Sequence, residues 1–356
     1  MTGNRFSGRI PRTLRILRIP RTLRTLRTLR TLRTLRTLRT ILAATWACLA
    51  STAFAQEFPN RPLRIIVLTL PGGGPDLAAR LLAQQMTPLL GKQIVVENRP
   101  GGGGIPGLQE LLGQPSDGHT LAVPDSSHWG MLPVLRAELP YNTVRDFAPI
   151  GLIFTGPQFV VVLDSMPVNT LQEFIALARA KPGTLQMGSV GVGGLIYFYV
   201  ETFKTSLGLD INHINYKGGA DSVSALLRGE ISSAAISLAA ISSHVKSGRM
   251  KLLAVGTKAR SRFAPDVPTV AEAAGIPDFD FAGQLGMIAR AGTPKPIIDK
   301  LSDALQKAVL HPDVVARAAV AGLEMTPSTP EQLGDLIRSD LKKFAQAAKA
   351  SGIKLQ

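Results

Sequence analysis

Residues 63–76 read Leu63-Arg64-Ile65-Ile66-Val67-Leu68-Thr69-Leu70-Pro71-Gly72-Gly73-Gly74-Pro75-Asp76. The apolar, β-branched run 63–70 has the composition of a strand. Residues 76–90 follow with Leu77, Arg80, Leu81, Gln84 and Gln85 at helical spacing and Gly91 as a stop. A strand that ends in glycines and then enters a helix leaves bare backbone N–H groups at the positive end of a helix dipole. That is a ready anion site. The pattern recurs at once, with 94–97 as the strand and Glu97-Asn98-Arg99-Pro100-Gly101-Gly102-Gly103-Gly104 as the turn. Two such turns point to a protein that holds a small carboxylate or similar anion, and say nothing of chemistry done on it.

Strand-like and helix-like segments keep alternating beyond these turns. Residues 121–123 read as a strand, with Ser126, Ser127 and His128 in the loop after it. Strands 150–154 and 159–163 are separated by Thr155-Gly156-Pro157. Thr170 caps a helix over 171–180, and Glu173 completes a capping box. Strands at 185–189, 211–214, 231–236 and 252–255 alternate with helices at 195–207, 220–227 and 241–246. The chain closes with helices at 296–309, 312–321 and 330–350, the last capped by Thr329 with Pro330 in first position. This alternation predicts an α/β fold of parallel sheets covered by helices, and the length suits two of them. Ligands of such sheets bind outside the carboxyl ends of the strands. Both glycine turns, and the loops starting at Ser126 and Ser189, leave from those ends.

The formal charge of +15 belongs to the N-terminus. Residues 1–55 hold 12 arginines and no acidic residue, which leaves 28 Lys+Arg against 25 Asp+Glu in the remainder. The balance therefore argues against a folded nucleic-acid surface. Residues 1–55 read as a secretion signal: a basic region, an apolar stretch over 41–49 and the small-residue site Ala53-Phe54-Ala55, with cleavage before Gln56. The triplet Thr-Leu-Arg repeats in tandem from Thr22 to Arg39, a period of three that matches neither a helix nor a strand face. It reads as expansion of a short repeat, with an arm for nucleic acid or anionic lipid as the alternative. Cys48, the only cysteine, lies in this leader, so the mature chain has no disulfide, thiol nucleophile or cysteine metal site. No later stretch is long and apolar enough to span a membrane. A thiol-free, soluble, monomeric periplasmic protein is the expectation.

The other polar candidates are weaker. No Gly-Lys-Ser/Thr follows the first glycines, which argues against a nucleotide-hydrolysis loop. His128 beside Ser126 and Ser127 lacks a third orienting group in the sequence, so a polar residue at the rim of a cleft is favoured over a general base. His119, His213, His244 and His311 fit no metal spacing, and neither a metal nor a cofactor is expected. Lys217, in Tyr216-Lys217-Gly218, either reaches an anion or is a surface charge. Among Tyr197, Phe198 and Tyr199, core packing is expected for at least two.

Several motifs, in order, resemble one family: Phe58-Pro59-Asn60-Arg61-Pro62, Pro-Gly-Gly-Gly with Asp76, Val-Glu-Asn-Arg-Pro-Gly, Asp117-Gly118-His119-Thr120-Leu121, Leu139-Pro140-Tyr141, Asp146-Phe147-Ala148-Pro149, Tyr216-Lys217-Gly218, Pro265-Asp266-Val267-Pro268-Thr269 and Ala291-Gly292-Thr293-Pro294. The resemblance is to the Bug family, extracytoplasmic solute receptors of tripartite tricarboxylate transporters. It implies two doubly wound, Rossmann-like domains joined by a hinge, of the type 2 periplasmic-binding-protein kind, closing over a ligand. Residues 56–155 and 284–356 would form domain 1 and residues 156–283 domain 2. The resemblance also implies a small organic-acid ligand and two membrane transporter subunits as partners. Carried over, the first anion loop is Gly72, Gly73, Gly74 and Asp76, and the second is Gly101, Gly103 and Gly104. Ser126 and Ser127 follow the third strand, and Ser189 and Gly191 occupy the matching loop of domain 2. Asp76 is expected to cap its helix rather than touch an anion.

The sequence departs from the family pattern where ligands are read. Pro75 stands where a Thr or similar residue is usual, Ile105 in place of Asn, Ile236 in place of an aspartate, and Gln284-Leu285 where an aromatic residue is frequent. Each change removes a hydrogen-bonding group or a stacking surface, which predicts a ligand less polar than citrate. Two other readings compete with a transport receptor: a ligand sensor for a membrane kinase, and a periplasmic hydrolase using Ser126, Ser127 or Ser189.

Overall fold

The structure is a computed structural model that describes residues 58–190, 194–277 and 279–351. The leader, its repeat and its cleavage site lie outside the described residues, as does Gly191. The first sheet contains β1 (Leu63–Val67), β2 (Ile94–Asn98), β3 (Thr120–Val123) and β4 (Phe147–Gly156). The second contains β5 (Gln158–Leu163), β6 (Gln186–Val190), β7 (Asn212–Tyr216), β8 (Ser233–Ser237) and β9 (Met250–Val255). The chain then returns to the first sheet with β10 (Gly283–Arg290) and β11 (Glu324–Met325). The strand orders are β11-β4-β10-β3-β1-β2 and β7-β6-β8-β5-β9.

Both sheets are mixed, which corrects the expectation of parallel sheets. β1 pairs parallel with β2 and β3, and β6 with β7 and β8. β10 runs antiparallel to both β3 and β4, and β5 antiparallel to both β8 and β9. The physical reason is the connection. β4 passes into β5 across the single residue Pro157. A chain that changes sheets without a crossover helix has no means of entering as a parallel neighbour.

The helix Gly74–Leu90 closes on Gly91 in the left-handed conformation, φ 71°, as the stop signal requires. In the helix Leu171–Ala180, Leu171, Phe174, Ile175 and Ala178 are buried, the i, i+3, i+4, i+7 stripe. Each large side chain on such a stripe contributes about 1.5–3 kcal/mol when fully buried. The capping box there is incomplete. Thr170 accepts from Glu173 N–H at 3.1 Å, but the Glu173 carboxylate accepts from the N–H of Asn169.

The C-terminal helix Pro330–Ser351 serves both sheets. Leu333 and Ile337 pack with Ile66, Trp129 and Leu152 on the first. Phe344, Ala347 and Ala348 pack with Phe198, Phe203 and Phe281 beside the second. Phe198 and Tyr199 are fully buried, so two of the three helix-start aromatics are core, as expected.

Candidate functional site

A cleft of about 260 Å³ lies where the chain crosses between the sheets. Gly156 and Gln158 from the outward crossing, and Gly283 and Gln284 from the return, line it. Gly156 and Gly283 are register partners, so the two crossings run side by side. Pro75, Phe154 and the turn Asp125-Ser126-Ser127 contribute from the first sheet, and Leu195 from the start of the helix Leu195–Leu207.

The first glycine turn reaches this cleft through Pro75. Gly73 and Gly74 begin the helix, where amides have no intrahelical acceptor. Gly72, at φ 87°, is spoken for: its N–H donates to Asp76 Oδ2 at 2.9 Å. Asp76 does not cap its own helix, which corrects that expectation. Its buried carboxylate also accepts from Arg80 Nε at 3.1 Å and from Asn98 Nδ2 at 3.0 Å. Burial pushes its pKa up, but these hydrogen bonds outweigh it and hold the carboxyl below its usual value. Asn98 thereby ties the end of β2 to the first turn, which gives the Glu97-Asn98-Arg99 motif a structural role.

The Asp125 turn is the most polar part of the wall. Asp125 Oδ1 accepts from the Ser127 N–H at 2.9 Å and from the Ser127 hydroxyl, and lies 2.7 Å from His128 Nδ1. Burial works against the Asp125 charge, but His128 and Ser127 more than offset it and hold the carboxyl at about 2. An ionised carboxylate only accepts, so His128 carries its proton on Nδ1. The Tyr141 hydroxyl donates to the His128 carbonyl at 3.0 Å and fixes the turn from behind. Burial pushes that phenol up to about 12. His128 thus has the orienting carboxylate the sequence did not reveal, and uses it to hold the turn.

The second glycine turn does not line the cleft but buttresses this wall. Gly101, Gly102, Gly103 and Gly104 all have positive φ, from 55° to 97°. A Cβ on Gly104 would sit 2.3 Å from His128 Nε2, so only glycine allows the imidazole to lie there. Gly103 faces Leu132.

In the second sheet, Ser189 is fully buried at the carboxyl end of β6. Its Oγ lies 2.5 Å from His213 Nε2 and 3.1 Å from Oδ1 of Asn215, its register partner on β7. His213 Nδ1 lies 2.5 Å from Glu201 Oε1. Burial lowers the His213 pKa, against the pull of Glu201. The order of contacts is that of a serine-hydrolase relay. Ser189, however, offers no surface to a substrate, and the relay acts as a strut joining β6, β7 and the helix Leu195–Leu207. Lys217 is exposed and outside the cleft lining.

The structure therefore brings Ser126 and Ser127 to the cleft directly, and Gly73 and Gly74 to its edge. Asp76, Gly101, Gly103, Gly104 and Ser189 stand behind or away from it. Sequence reasoning missed Asp125, Gln158 and Gln284 as lining residues, and Glu201 and His213 as a pair. Asp125 carried a legible signal: an Asp two residues before Ser127 is the pattern of a side chain closing its own turn. Gln284 carried only its polarity inside a strand that is otherwise buried.

A crossing-built cleft between two mixed sheets is the plan of a solute-binding protein. The family model "Tripartite tricarboxylate transporter family receptor" matches residues 78–353. The Protein BugT of Bordetella pertussis is 31% identical over 313 residues, covering 87% of this chain and 95% of the relative. The chain belongs to this receptor family. Among solved structures, Rpa4515 of R. palustris with adipate superposes with a TM-score of 0.65 at 26% identity, covering 84% of this chain and 99% of that one. MatC of Rhodopseudomonas palustris with bound malate gives 0.62 at 27% identity, covering 82% and 99%. The family and these neighbours are periplasmic substrate-binding proteins, not enzymes. No helix among the described residues is long and apolar enough to cross a membrane.

Proposed function

We propose that this chain is an exported receptor that captures a small organic acid in the cleft at the two crossings and delivers it to a membrane carrier of two subunits. The observation that carries this reading is the lining itself, drawn from both sheets and from both crossing strands. A ligand held there gains contacts from two lobes at once, so it favours the closed form over an open one. The lobes would be residues 56–155 with 284–356, and residues 156–283, with the hinge at the crossings. The relatives that hold adipate and malate support an acid as ligand. Residues 1–55 would be removed on export.

The acid is less polar than citrate. Pro75, Phe154 and Leu195 give the cleft apolar walls, and Asp125 puts a negative charge beside them. A triply charged ligand next to that carboxylate is disfavoured, because like charges at short range repel strongly where water is scarce. The carboxylate of the ligand would meet the Ser126 hydroxyl and the amides that open the helix Gly74–Leu90. Competitive titration of residues 56–356 with citrate and with singly charged acids tests this; tighter binding of citrate would overturn it.

A further inference from the structure

Hydrogen-bond accounting around the cleft deepens that reading, on which it rests. Gln284 is only 7% exposed and lines the cleft, yet its Oε1 is buried without a hydrogen-bond partner. A half-turn of the terminal amide exchanges Oε1 with Nε2 at the cleft wall. The neighbouring groups are short of protons as well. Gln158 spends Nε2 on the Gly156 carbonyl at 3.3 Å, leaving its Oε1 as an acceptor. Ser127 gives its hydroxyl proton to Asp125. The side-chain contacts of Asp125 converge on Oδ1, and the carboxyl is ionised. Among the described lining residues, the uncommitted polar groups on this side are therefore mostly acceptors.

An acceptor buried without a donor costs free energy that a ligand recovers by supplying one. A deprotonated acid with a hydrocarbon body supplies none. We infer that Gln284 makes the cleft select acids that carry an additional hydrogen-bond donor, a hydroxyl or an ammonium group, over their otherwise identical counterparts without one. The donor-bearing carbon faces Gln284 and Gln158, and the carboxylate faces Ser126. An ammonium group gains more than a hydroxyl, because it also neutralises Asp125. Such a site rejects the analogue lacking the donor, since its buried polar group is then left unpaired.

The test is calorimetric titration of residues 56–356 with two matched series: propionate, lactate and alanine, then succinate, malate and aspartate. In at least one series the donor-bearing acids bind about tenfold or more tighter than the unsubstituted acid. In Gln284→Leu that preference falls to about threefold or less, while the unsubstituted acid binds as well or better. The variant melts no lower than the parent, because it removes an orphaned acceptor. The comparison within the unaltered protein stands whether or not the variant folds. If the acids bind but the unsubstituted member is equal or tighter, or if Gln284→Leu keeps the full preference, the inference fails and the receptor reading survives. If no acid in either series binds, the inference fails together with that reading.

Discussion

The indole N–H of Trp129 donates to Asp340 Oδ2 at 2.8 Å, joining residues 211 positions apart in the chain. Trp129 follows directly on the serine turn, and Asp340 lies mid-way along the C-terminal helix. Lys343 Nζ lies 2.6 Å from Asp340 Oδ1 and donates to the Asp280 carbonyl at 2.6 Å, on the segment that returns the chain to the first sheet. One buried carboxylate thus links the cleft wall, the return crossing and the helix that serves both sheets. Asp340→Ala leaves the indole and Lys343 without their partner. Loss of one member of a buried pair costs about 3–5 kcal/mol. Urea unfolding of residues 56–356 should show a drop of that order, and a change under about 1 kcal/mol would deny the link its weight.

Gly104 is constrained twice, by φ 78° and by the His128 ring at 2.3 Å from any Cβ. Gly104→Ala must strain its backbone or push His128 away, and the push moves Asp125 and Ser127 with it. A cost of more than about 1 kcal/mol is expected. The affinity for the ligand should fall in parallel although Gly104 does not line the cleft. Gly91→Ala is the control: it shares the positive φ but has open space around it, so it should cost stability and leave affinity unchanged.

The acid limb of stability has two stages with the same sign. His213 has a lowered pKa in the folded protein, so the unfolded chain binds more protons just below 6.5. Stability therefore falls as pH drops from about 6.5 toward the folded value. Asp125 titrates at about 2 when folded against 3.8 when free, so its contribution is present above 3.8 and lost as pH falls toward 2. Asp76, also lowered, adds to that second stage. Melting temperature against pH should show both stages, and His213→Gln should remove the upper one. An unchanged upper stage in that variant would assign it to another group.

Asp125→Asn keeps an acceptor for Ser127 and His128 but removes the charge. Doubly charged acids should gain affinity several-fold relative to singly charged ones. Equal changes for both classes would show that the Asp125 charge is not felt in the cleft.

The alternation of elements was legible because each helix carries its own start and stop, as Thr170 and Gly91 do. The direction of β5 and β10 was not. It depends on a chain that changes sheets across Pro157, and no local pattern distinguishes such a step from a tight loop. β10 itself is hard to read, since Gly283, Gln284 and Gly286 dilute its apolar run. The glycine turns were visible as turns, but their division of labour was not. Gly104 serves His128, and Gly72 serves Asp76, through contacts made by residues far along the chain. The Ser189–His213–Glu201 strut was hidden for the same reason: its members lie on three separate elements.

Thermal unfolding of residues 56–356 against a panel of small organic acids bears on the receptor reading before anything else does. At a hundred times its dissociation constant, one acid of the panel should add about 2.7 kcal/mol of stability, and Ser126→Ala should reduce that gain. Indifference to every acid at millimolar concentration, or a gain untouched by changes at Ser126, Ser127 and Gln284, would mean that the cleft at the crossings is not where this protein holds its ligand.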